Sequence, residues 1–268
     1  MSDVATYPVF PHALPGTVSE TKHFEVRFAN TEEELHLVQQ LRFEIFNVEL
    51  GEGLDSSFET GRDADRFDVV NHHLIVVDKR DDRIIGTYRM QTDEMAREYE
   101  GYYSSGEFDL GGLPDEVRTR SIEIGRAAVH IDYRNRQVLF LLWKGLAAYM
   151  LHNDKSSLFG CCSLTSQEPS EGYRVMQYLE QNGFVHDAYR VDPQSGWECY
   201  GSDFTVSETW SDRAVDLPKL FRLYLRYGAK VCGPPALDRE FKTIDYLVLL
   251  STDDIDDDTR RMYFQHDS

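Results

Sequence analysis

Hydrophobic and polar positions follow two different periods at the start of the chain. The segment HFEVRFA, residues 23–29, alternates apolar with polar residues as a half-buried strand does. Thr31 and Glu34 then form a capping-box pattern, which predicts the start of a helix. Apolar residues recur at helical spacing after this start and predict one buried stripe: Leu35, Val38, Leu41, Ile45 and Val48. Arg42 and Phe46, four residues apart, lie together beside that stripe.

A polar, glycine-rich segment, residues 51–68, separates this helix from the rest of the chain and is longer than an ordinary connection. Apolar runs bounded by turn residues predict further strands, the first two forming a hairpin: 72–78, 84–91, 121–130 and 157–164. Other segments predict helices: 94–103, 137–152, 170–182 and 218–227. Residues 229–250 predict two short strands around a Pro-Pro turn.

The alternation of strands and helices predicts one α/β domain with a mixed sheet. We expect this domain to span residues 23–251, including a C-terminal extension, and to follow a polar arm of residues 1–22. Residues 252–268 are acidic, which predicts a solvated tail.

Composition narrows the classes of function. The chain has 268 residues, 41% of them hydrophobic, and a formal net charge of −19, which argues against nucleic acid or an anionic membrane as a broad partner. The start lacks a secretory signal, and the longest apolar run, 138–151, is too short to span a membrane. The cysteines form no C-x-x-C pair, as expected in a reducing compartment. We therefore expect a cytoplasmic protein with no metal site and no transmembrane segment, with peripheral membrane contact left open.

Charged residues inside apolar strands mark the candidate chemistry. Arg89, Glu123 and Arg126 interrupt such strands, and buried charges are costly unless they are paired. These residues are therefore expected to face one another or a polar cleft, in a structural ion-pair network or a functional site. Glu123 and Arg126 point to opposite faces of a regular strand, but Gly125 between them is typical of a bulge.

Two other pairs of residues have a structural and a functional interpretation. His72 and His73 are adjacent in a predicted strand, so they face opposite ways and cannot bind one metal together. Cys161 or Cys162 is either a catalytic nucleophile or a small packed hydrophobe. Since no histidine lies close to them in the sequence, packing is favoured.

Four motifs carry a family resemblance: RFEIF at 42–46, DRFD at 65–68, GTYR at 86–89 and EIGRAAV at 123–129. They resemble the acyl-homoserine-lactone synthases, a branch of the GNAT acyltransferase fold. The closing stretch YLRYGAKVCGPPALDREFKTIDYLVLL resembles instead the ornithine-acyl-carrier-protein N-acyltransferases, often labelled hemolysin-like. The resemblance implies a GNAT-like fold, a mixed and mostly antiparallel central sheet flanked by helices, with a C-terminal helix-strand extension.

Two departures from these families bear on the cosubstrates. The lactone synthases carry a tryptophan after the first helix, and residues 51–54 include none, which argues against S-adenosylmethionine. GNAT enzymes that bind coenzyme A usually have a glycine-bearing pyrophosphate turn, and residues 134–138 lack its glycines. The resemblance therefore implies acyl-phosphopantetheine on acyl carrier protein as the donor, with acyl-CoA less favoured, and no permanently bound cofactor.

The resemblance also assigns roles to individual residues. The amino-acid substrate site is formed by Arg42, Phe46, Asp65, Asp68 and Arg89. The catalytic candidates are Glu123 and Arg126, with Glu123 taking the proton of the attacking amine directly or through water. The acyl-donor site is formed by Ala127, Ala128, Val129, Arg134 and Arg136. Backbone amides near Ala127 and Ala128 would hold the thioester carbonyl, and the two arginines would face the acidic carrier.

The sequence thus predicts an N-acyltransferase that moves a long-chain fatty acyl group from acyl carrier protein to the α-amine of an amino acid. Ornithine is the first candidate acceptor, and the product would be an N-acyl amino acid or a lyso-aminolipid. Two alternatives stay open: an acyl-homoserine-lactone synthase, and a non-catalytic binder of acyl chains or carrier protein. The presence of both Glu123 and Arg126 argues against the binder.

Overall fold

The computed structural model describes residues 7–16, 18–206 and 214–264. The strands in these ranges are β1 (Ser19–Glu20), β2 (Phe24–Phe28), β3 (His72–Asp78), β4 (Arg83–Thr92), β5 (Ser121–Val129), β6 (Ser157–Leu164), β7 (Lys230–Val231), β8 (Ala236–Asp238) and β9 (Thr243–Ser251). The α-helices are α1 (Glu32–Phe43), α2 (Ser57–Thr60), α3 (Asp93–Glu98), α4 (Asp115–Thr119), α5 (Arg136–His152), α6 (Pro169–Gln181), α7 (Lys219–Arg226) and α8 (Asp257–Phe264).

Within the described ranges the strands form one sheet in the order β1-β2-β3-β4-β5-β6-β9-β7, with β8 also paired to β9. The pairs are antiparallel except for β5 and β6, which are parallel. Helix α5 packs on one face of the sheet with α7 and α8 beside it, and α1 packs on the opposite face. This arrangement confirms the mixed, mostly antiparallel sheet flanked by helices.

The parallel pair β5 and β6 separates partway along its length. Ser121–Glu123 pairs with Ser157–Phe159, although β5 continues to Val129 and β6 to Leu164. Where they part, the backbone of Gly160 lies so close to β5 that an added Cβ would stand 2.1 Å from the carbonyl oxygen of Ile124. Beyond this point one edge of β5 faces a gap in the middle of the sheet.

The first helix starts as predicted and ends differently. The Thr31 hydroxyl accepts a hydrogen bond from the Glu34 N–H at 3.1 Å, and Leu35, Val38 and Leu41 are buried. From residue 44 to 49 the helix continues as a wider π-helical turn. Wider winding rotates the following side chains away from the stripe. Val48, predicted to be buried, is consequently 64% exposed.

The C-terminal part holds two corrections to the sequence analysis. Strands β7 and β8 flank the Pro-Pro turn as predicted, but a third strand, β9, inserts between β6 and β7. Its residues 244–250 are an unbroken buried run, the pattern of a central strand rather than of a short edge strand. The acidic tail, predicted to be solvated, forms α8, in which Tyr263 is buried 5.8 Å from the Trp143 ring.

The predicted arm and tail lie only partly within the described residues, since 1–6, 17 and 265–268 fall outside them. In the described part of the arm, Val9 is buried and its carbonyl accepts a hydrogen bond from His72 at 2.7 Å. Among the described helices, none combines the length and the apolar character that crossing a membrane requires.

Candidate functional site

A bulge in β5 sets the geometry of the site. Thr87 pairs with Ala128 and Arg89 pairs with Gly125, so Tyr88 alone stands opposite two residues of β5. The predicted bulge is therefore confirmed, but the residue with left-handed backbone is Arg126, at φ 49°, rather than the glycine. The extra residue lets the Glu123 and Arg126 side chains line one cavity in spite of their spacing.

The cavity, of about 300 Å³, lies at the gap between β5 and β6. Its lining comes from both faces of the sheet. On the α5 face the lining belongs to the main hydrophobic core and includes Tyr88, Ile124, Cys162, Phe221, Tyr224 and Val248. On the α1 face the lining is mostly polar and includes Arg89, Tyr103, Glu123, Arg126, Asp238 and Asp245. The site therefore joins an apolar compartment to a charged one.

A buried ion network stands behind the charged compartment. Arg42 donates from Nε to Asp63 and from Nη1 and Nη2 to Asp68, each at 2.8 Å. Arg89 donates from Nη1 to Asp65 at 2.7 Å and to Asp68 at 2.9 Å. Burial alone would raise the pKa of Asp68, but Arg42 and Arg89 hold that pKa well below its usual range. The network thus fixes Arg89 from the side away from the cavity.

Arg126 occupies the cavity wall with part of its donor capacity unused. Its guanidinium lies between the rings of Tyr103 and Phe241, at 4.7 and 4.3 Å. The ion pairs with Asp63 and Asp65 are long, 3.4 and 3.3 Å. Burial lowers the pKa of Arg126, but Tyr103 and the two aspartates raise it further, so the group stays charged. Its Nε is the atom that lies 3.4 Å from Asp63 Oδ2, and it forms no hydrogen bond of normal geometry within the described structure.

The Glu123 carboxylate is held by donors from two segments. Its Oε2 accepts hydrogen bonds from Gln91 Nε2 at 2.5 Å and from the Tyr103 N–H at 2.9 Å. Its Oε1 accepts one from the Ser104 N–H at 2.7 Å. These bonds fix the turn that carries Tyr103, whose ring packs on Arg126. Glu123 does not pair with the arginines, but it shares the polar cavity with them, as one of the two sequence expectations stated.

Sequence reasoning missed an acidic cluster in the same compartment. Carboxylate oxygens of Glu107, Asp238 and Asp245 lie within 4.8 Å of one another, and all three side chains are buried. Burial, then Asp245, raises the pKa of Glu107 well above its usual range, and burial also raises the pKa of Asp245. The sequence indicated this cluster only through Asp245, which is the single charged residue in the apolar run 244–250. Its partners come from distant segments that only the fold brings together.

The residues predicted for the site divide into lining and supporting groups. Those that line the cavity are Phe46, Arg89, Glu123, Arg126 and Ala127. Arg42, Asp65 and Asp68 form the network behind it. Ala128 is buried in the cluster under α1, and Val129 pairs with Gly86 of β4.

The two arginines predicted for the donor site lie on the surface before and at the start of α5. Arg134 forms an ion pair with Glu49 and donates from Nε to the Val129 carbonyl at 2.9 Å. Arg136 is exposed at the first position of α5, after the Asn135 cap. Arg136 is therefore the more available of the two for a docking partner.

Neither cysteine nor histidine pair has the features of a catalytic group. Burial raises the pKa of both Cys161 and Cys162, so their thiols stay protonated and weakly nucleophilic. His72 and His73 are buried, and burial lowers the pKa of each to about 4. Each ring binds a backbone carbonyl, which supports the structural interpretation.

Comparison with known proteins places this geometry among acyltransferases. Residues 41–144 match the acetyltransferase (GNAT) domain family. The L-ornithine N(alpha)-acyltransferase of Brucella abortus is 31% identical over 235 residues, covering 84% of this chain and 83% of the relative. That of Agrobacterium fabrum is 31% identical over 241 residues, covering 86% and 82%. The structure of FeeM, an N-acyl amino acid synthase from uncultured soil microbes, aligns with a TM-score of 0.50 at 11% identity over 87% of this chain and 93% of that one.

Proposed function

The chain belongs to the family of the L-ornithine N(alpha)-acyltransferases, and on that premise we propose that it transfers a long-chain acyl group from acyl carrier protein to the α-amine of L-ornithine. One observation carries the proposal: the cavity between β5 and β6 is apolar on the α5 face and charged on the α1 face. An acyl thioester and a charged amino acid must meet at the boundary between two such surfaces.

The apolar compartment suits the acyl chain. Phe221 and Tyr224 of α7 and Val248 of β9 line it, and the hydroxyl groups of Tyr88 and Tyr224 satisfy each other at 2.9 Å. Past Glu123, the β5 edge that faces the gap is unpaired with β6. Amide groups of phosphopantetheine can bind such an edge as an added strand does. The edge therefore brings the thioester to the boundary between the compartments.

The charged compartment suits the amino acid. Arg126 lines the cavity, and its ion pairs with Asp63 and Asp65 are long, at 3.4 and 3.3 Å. A guanidinium matches a carboxylate in both charge and planar geometry. We assign the α-carboxylate of the acceptor to Arg126, which sets the α-amine beside the β5 edge.

The reaction is a direct attack of the amine on the thioester carbonyl. The C–N bond forms, the C–S bond breaks, and the pantetheine thiol leaves after the ammonium has lost its proton. Glu123 lines the cavity, and we assign the proton transfer to it through a water molecule. The amide N–H groups of the bulged strand at Ala127 and Ala128 stabilise the developing oxyanion.

Replacing Glu123 tests this role. Glu123→Gln should lower kcat by roughly 10²-fold or more, the usual contribution of a positioned acid or base. The exposed Glu116→Gln is the matched control and should keep wild-type kinetics. A kcat within a few-fold of wild type in Glu123→Gln would make Glu123 a positioning residue that holds the Tyr103 turn.

Product analysis tests the proposed function itself. The purified protein, incubated with palmitoyl-acyl carrier protein and L-ornithine, should give N-palmitoylornithine, with fragmentation placing the amide on the α-nitrogen. Palmitoyl-CoA at the same concentration should react more slowly. We place the reaction in the cytoplasm, together with this donor. Absence of any amide product with either donor would refute the proposal. A lactone formed from S-adenosylmethionine would instead identify an acyl-homoserine-lactone synthase.

Arg136 is the residue that we propose for docking the carrier. A chain of net charge −19 repels an acidic carrier protein unless a local cation lies at the entrance. Arg136→Glu should slow the reaction with acyl carrier protein most at low salt, because surface charges steer association and are screened over about 10 Å at 0.1 M salt. Arg190→Glu, an exposed arginine elsewhere, is the control. An equal loss with a short acyl-pantetheine donor would assign Arg136 to the fold.

A further inference from the structure

Three carboxylates converge beside the cavity, on the side away from the apolar compartment. Glu107 follows the turn that carries Tyr103, Asp238 ends β8, and Asp245 belongs to β9. Their oxygens lie within 4.8 Å of one another, and Asp238 and Asp245 line the cavity. In the part of the chain that the structure describes, no lysine or arginine forms an ion pair with any of them. The cluster therefore lacks a described counter-charge.

One oxygen of the cluster forms no hydrogen bond with any described residue. Asp238 Oδ1 accepts hydrogen bonds from the N–H groups of Glu240 and Phe241, at 2.8 and 2.7 Å. Asp245 Oδ2 accepts one from the Thr243 hydroxyl at 3.0 Å. Asp245 is 3% exposed, and its Oδ1 finds no hydrogen-bond partner among the described residues. A buried, unpaired acceptor on a cavity wall can accept a hydrogen bond from a ligand that enters the cavity.

We propose that Glu107, Asp238 and Asp245 form the subsite for the distal ammonium group of a diamino acid acceptor. This inference rests on the proposed function and deepens it, since it makes the acidic cluster the determinant of acceptor specificity. Arg126 and the cluster border the same cavity, so one amino acid can place its α-carboxylate on Arg126 and its side-chain ammonium on the cluster.

The electrostatics of the cluster agree with a cationic occupant. Burial and the neighbouring carboxylates raise the pKa of Glu107, and burial raises that of Asp245. Burial first, and then repulsion between neighbouring carboxylates, disfavours the ionised forms. An ammonium group donates three hydrogen bonds and supplies the charge that relieves this repulsion. A neutral side chain of equal length would leave both the repulsion and the unpaired oxygen in place.

The experiment compares ornithine with norvaline, which has the same carbon skeleton without the distal amine. Wild-type kcat/KM should favour ornithine by roughly 10⁴-fold, because a site built for a donor rejects an analogue that lacks it. Asp245→Asn should lower kcat/KM for ornithine by about 10²-fold, mainly through KM. Its kcat/KM for norvaline should stay the same or rise. Glu107→Gln should shift the ratio in the same direction.

Asp81→Asn, an exposed aspartate in the turn between β3 and β4, is the matched control and should keep the wild-type ratio. The Asp245→Asn protein should unfold at the same or a higher temperature than wild type, because it loses a repelling charge. Equal losses for ornithine and norvaline in Asp245→Asn would overturn the inference and assign the cluster to chemistry or folding. So would a wild-type protein that accepts both amino acids equally.

A binding measurement separates this inference from the proposed function. Without any acyl donor, ornithine should raise the midpoint of thermal unfolding more than norvaline at the same concentration, and Asp245→Asn should remove the difference. This holds even if no acylated product is found, which would sink the proposed function alone. If MgCl₂ or CaCl₂ raises the midpoint instead, and EDTA reverses it, the cluster is a metal site and the inference is wrong.

Discussion

Removing Arg42 from the ion network is the sharpest test of what holds the site together. The side chain is fully buried and donates to Asp63 and to both oxygens of Asp68, each at 2.8 Å. Arg42→Met keeps much of the side-chain volume and removes the charge and the donors. Two buried carboxylates then lose their principal partner, while Arg89 still donates to Asp68 at 2.9 Å.

The expected loss follows from this partial compensation. Removing one partner of a buried ion pair costs about 3–5 kcal/mol, because the other charge stays desolvated. Since Arg89 continues to serve Asp68, we expect Arg42→Met to lower the free energy of unfolding by about 3 kcal/mol at pH 7. The free energy of unfolding of a native domain is only ~5–15 kcal/mol, so a change of this size is large enough to measure.

The loss of unfolding free energy in Arg42→Met should depend on pH in a way that identifies its cause. Arg42 and Arg89 hold the pKa of Asp68 well below its unfolded value, so their stabilisation is present above that value and is lost as the pH falls through the folded one. In Arg42→Met, Asp68 regains its proton at a higher pH than in wild type, which removes the penalty of its unpaired charge. The difference from wild type should therefore be largest at neutral pH and shrink as the pH approaches about 4.

Urea unfolding of both proteins, at a series of pH values from neutral downwards, measures the difference directly. Arg66→Met is the matched control, because Arg66 pairs with Glu100 on the surface and exposed pairs contribute ~0–1 kcal/mol. Arg42→Lys, which keeps the charge and loses the planar fork, should lie between the two. A loss for Arg42→Met within about 1 kcal/mol of the control, or one that does not depend on pH, would refute the reasoning.

Two further predictions concern β6, the strand beside the gap. Cys161→Ala and Cys162→Ala should each keep kcat within a few-fold of wild type, because burial keeps both thiols protonated; a covalent acyl-enzyme seen by mass spectrometry and lost with either change would contradict direct transfer. Gly160→Ala should cost about 1–3 kcal/mol or more in thermal or urea unfolding, because its Cβ would stand 2.1 Å from the Ile124 carbonyl oxygen. Gly106→Ala, whose added Cβ meets nothing within 4 Å, should be close to neutral.

Sequence periodicity predicted those elements whose pattern is local. The hairpin of β3 and β4 and the start of α1 at Thr31 depend on residues close together in the chain, and all are confirmed. The π-helical turn that exposes Val48 leaves no mark in the apolar spacing. Strand β9 was missed for a related reason: a strand buried on both faces shows no alternation, and only its pairing with β6 reveals it.

The sequence predicted those features of the site that depend on the residues of a single strand. A charge such as Arg89 in an apolar strand must be compensated, and Gly125 indicated the bulge, so a polar cleft followed from the sequence. Asp63 was not predicted, because the sequence of a long polar loop does not distinguish one aspartate from another. Only the folded structure shows that Asp63 forms an ion pair with Arg42. The acidic cluster was missed because Glu107 and Asp245 come from segments distant in the chain.

The charged compartment keeps two opposite charges apart. Arg126 and Asp245 line one cavity but do not pair with each other: Arg126 makes long ion pairs with Asp63 and Asp65, and Asp245 Oδ1 has no hydrogen-bond partner among the described residues. Arg126 is held back by the rings of Tyr103 and Phe241, and the network behind it fixes its distance from the cluster. An unpaired buried acceptor destabilises a fold, and a ligand that donates a hydrogen bond to it would offset this cost. An amino acid with a carboxylate at one end and an ammonium at the other satisfies both groups, and a collapsed Arg126–Asp245 ion pair would leave it no site.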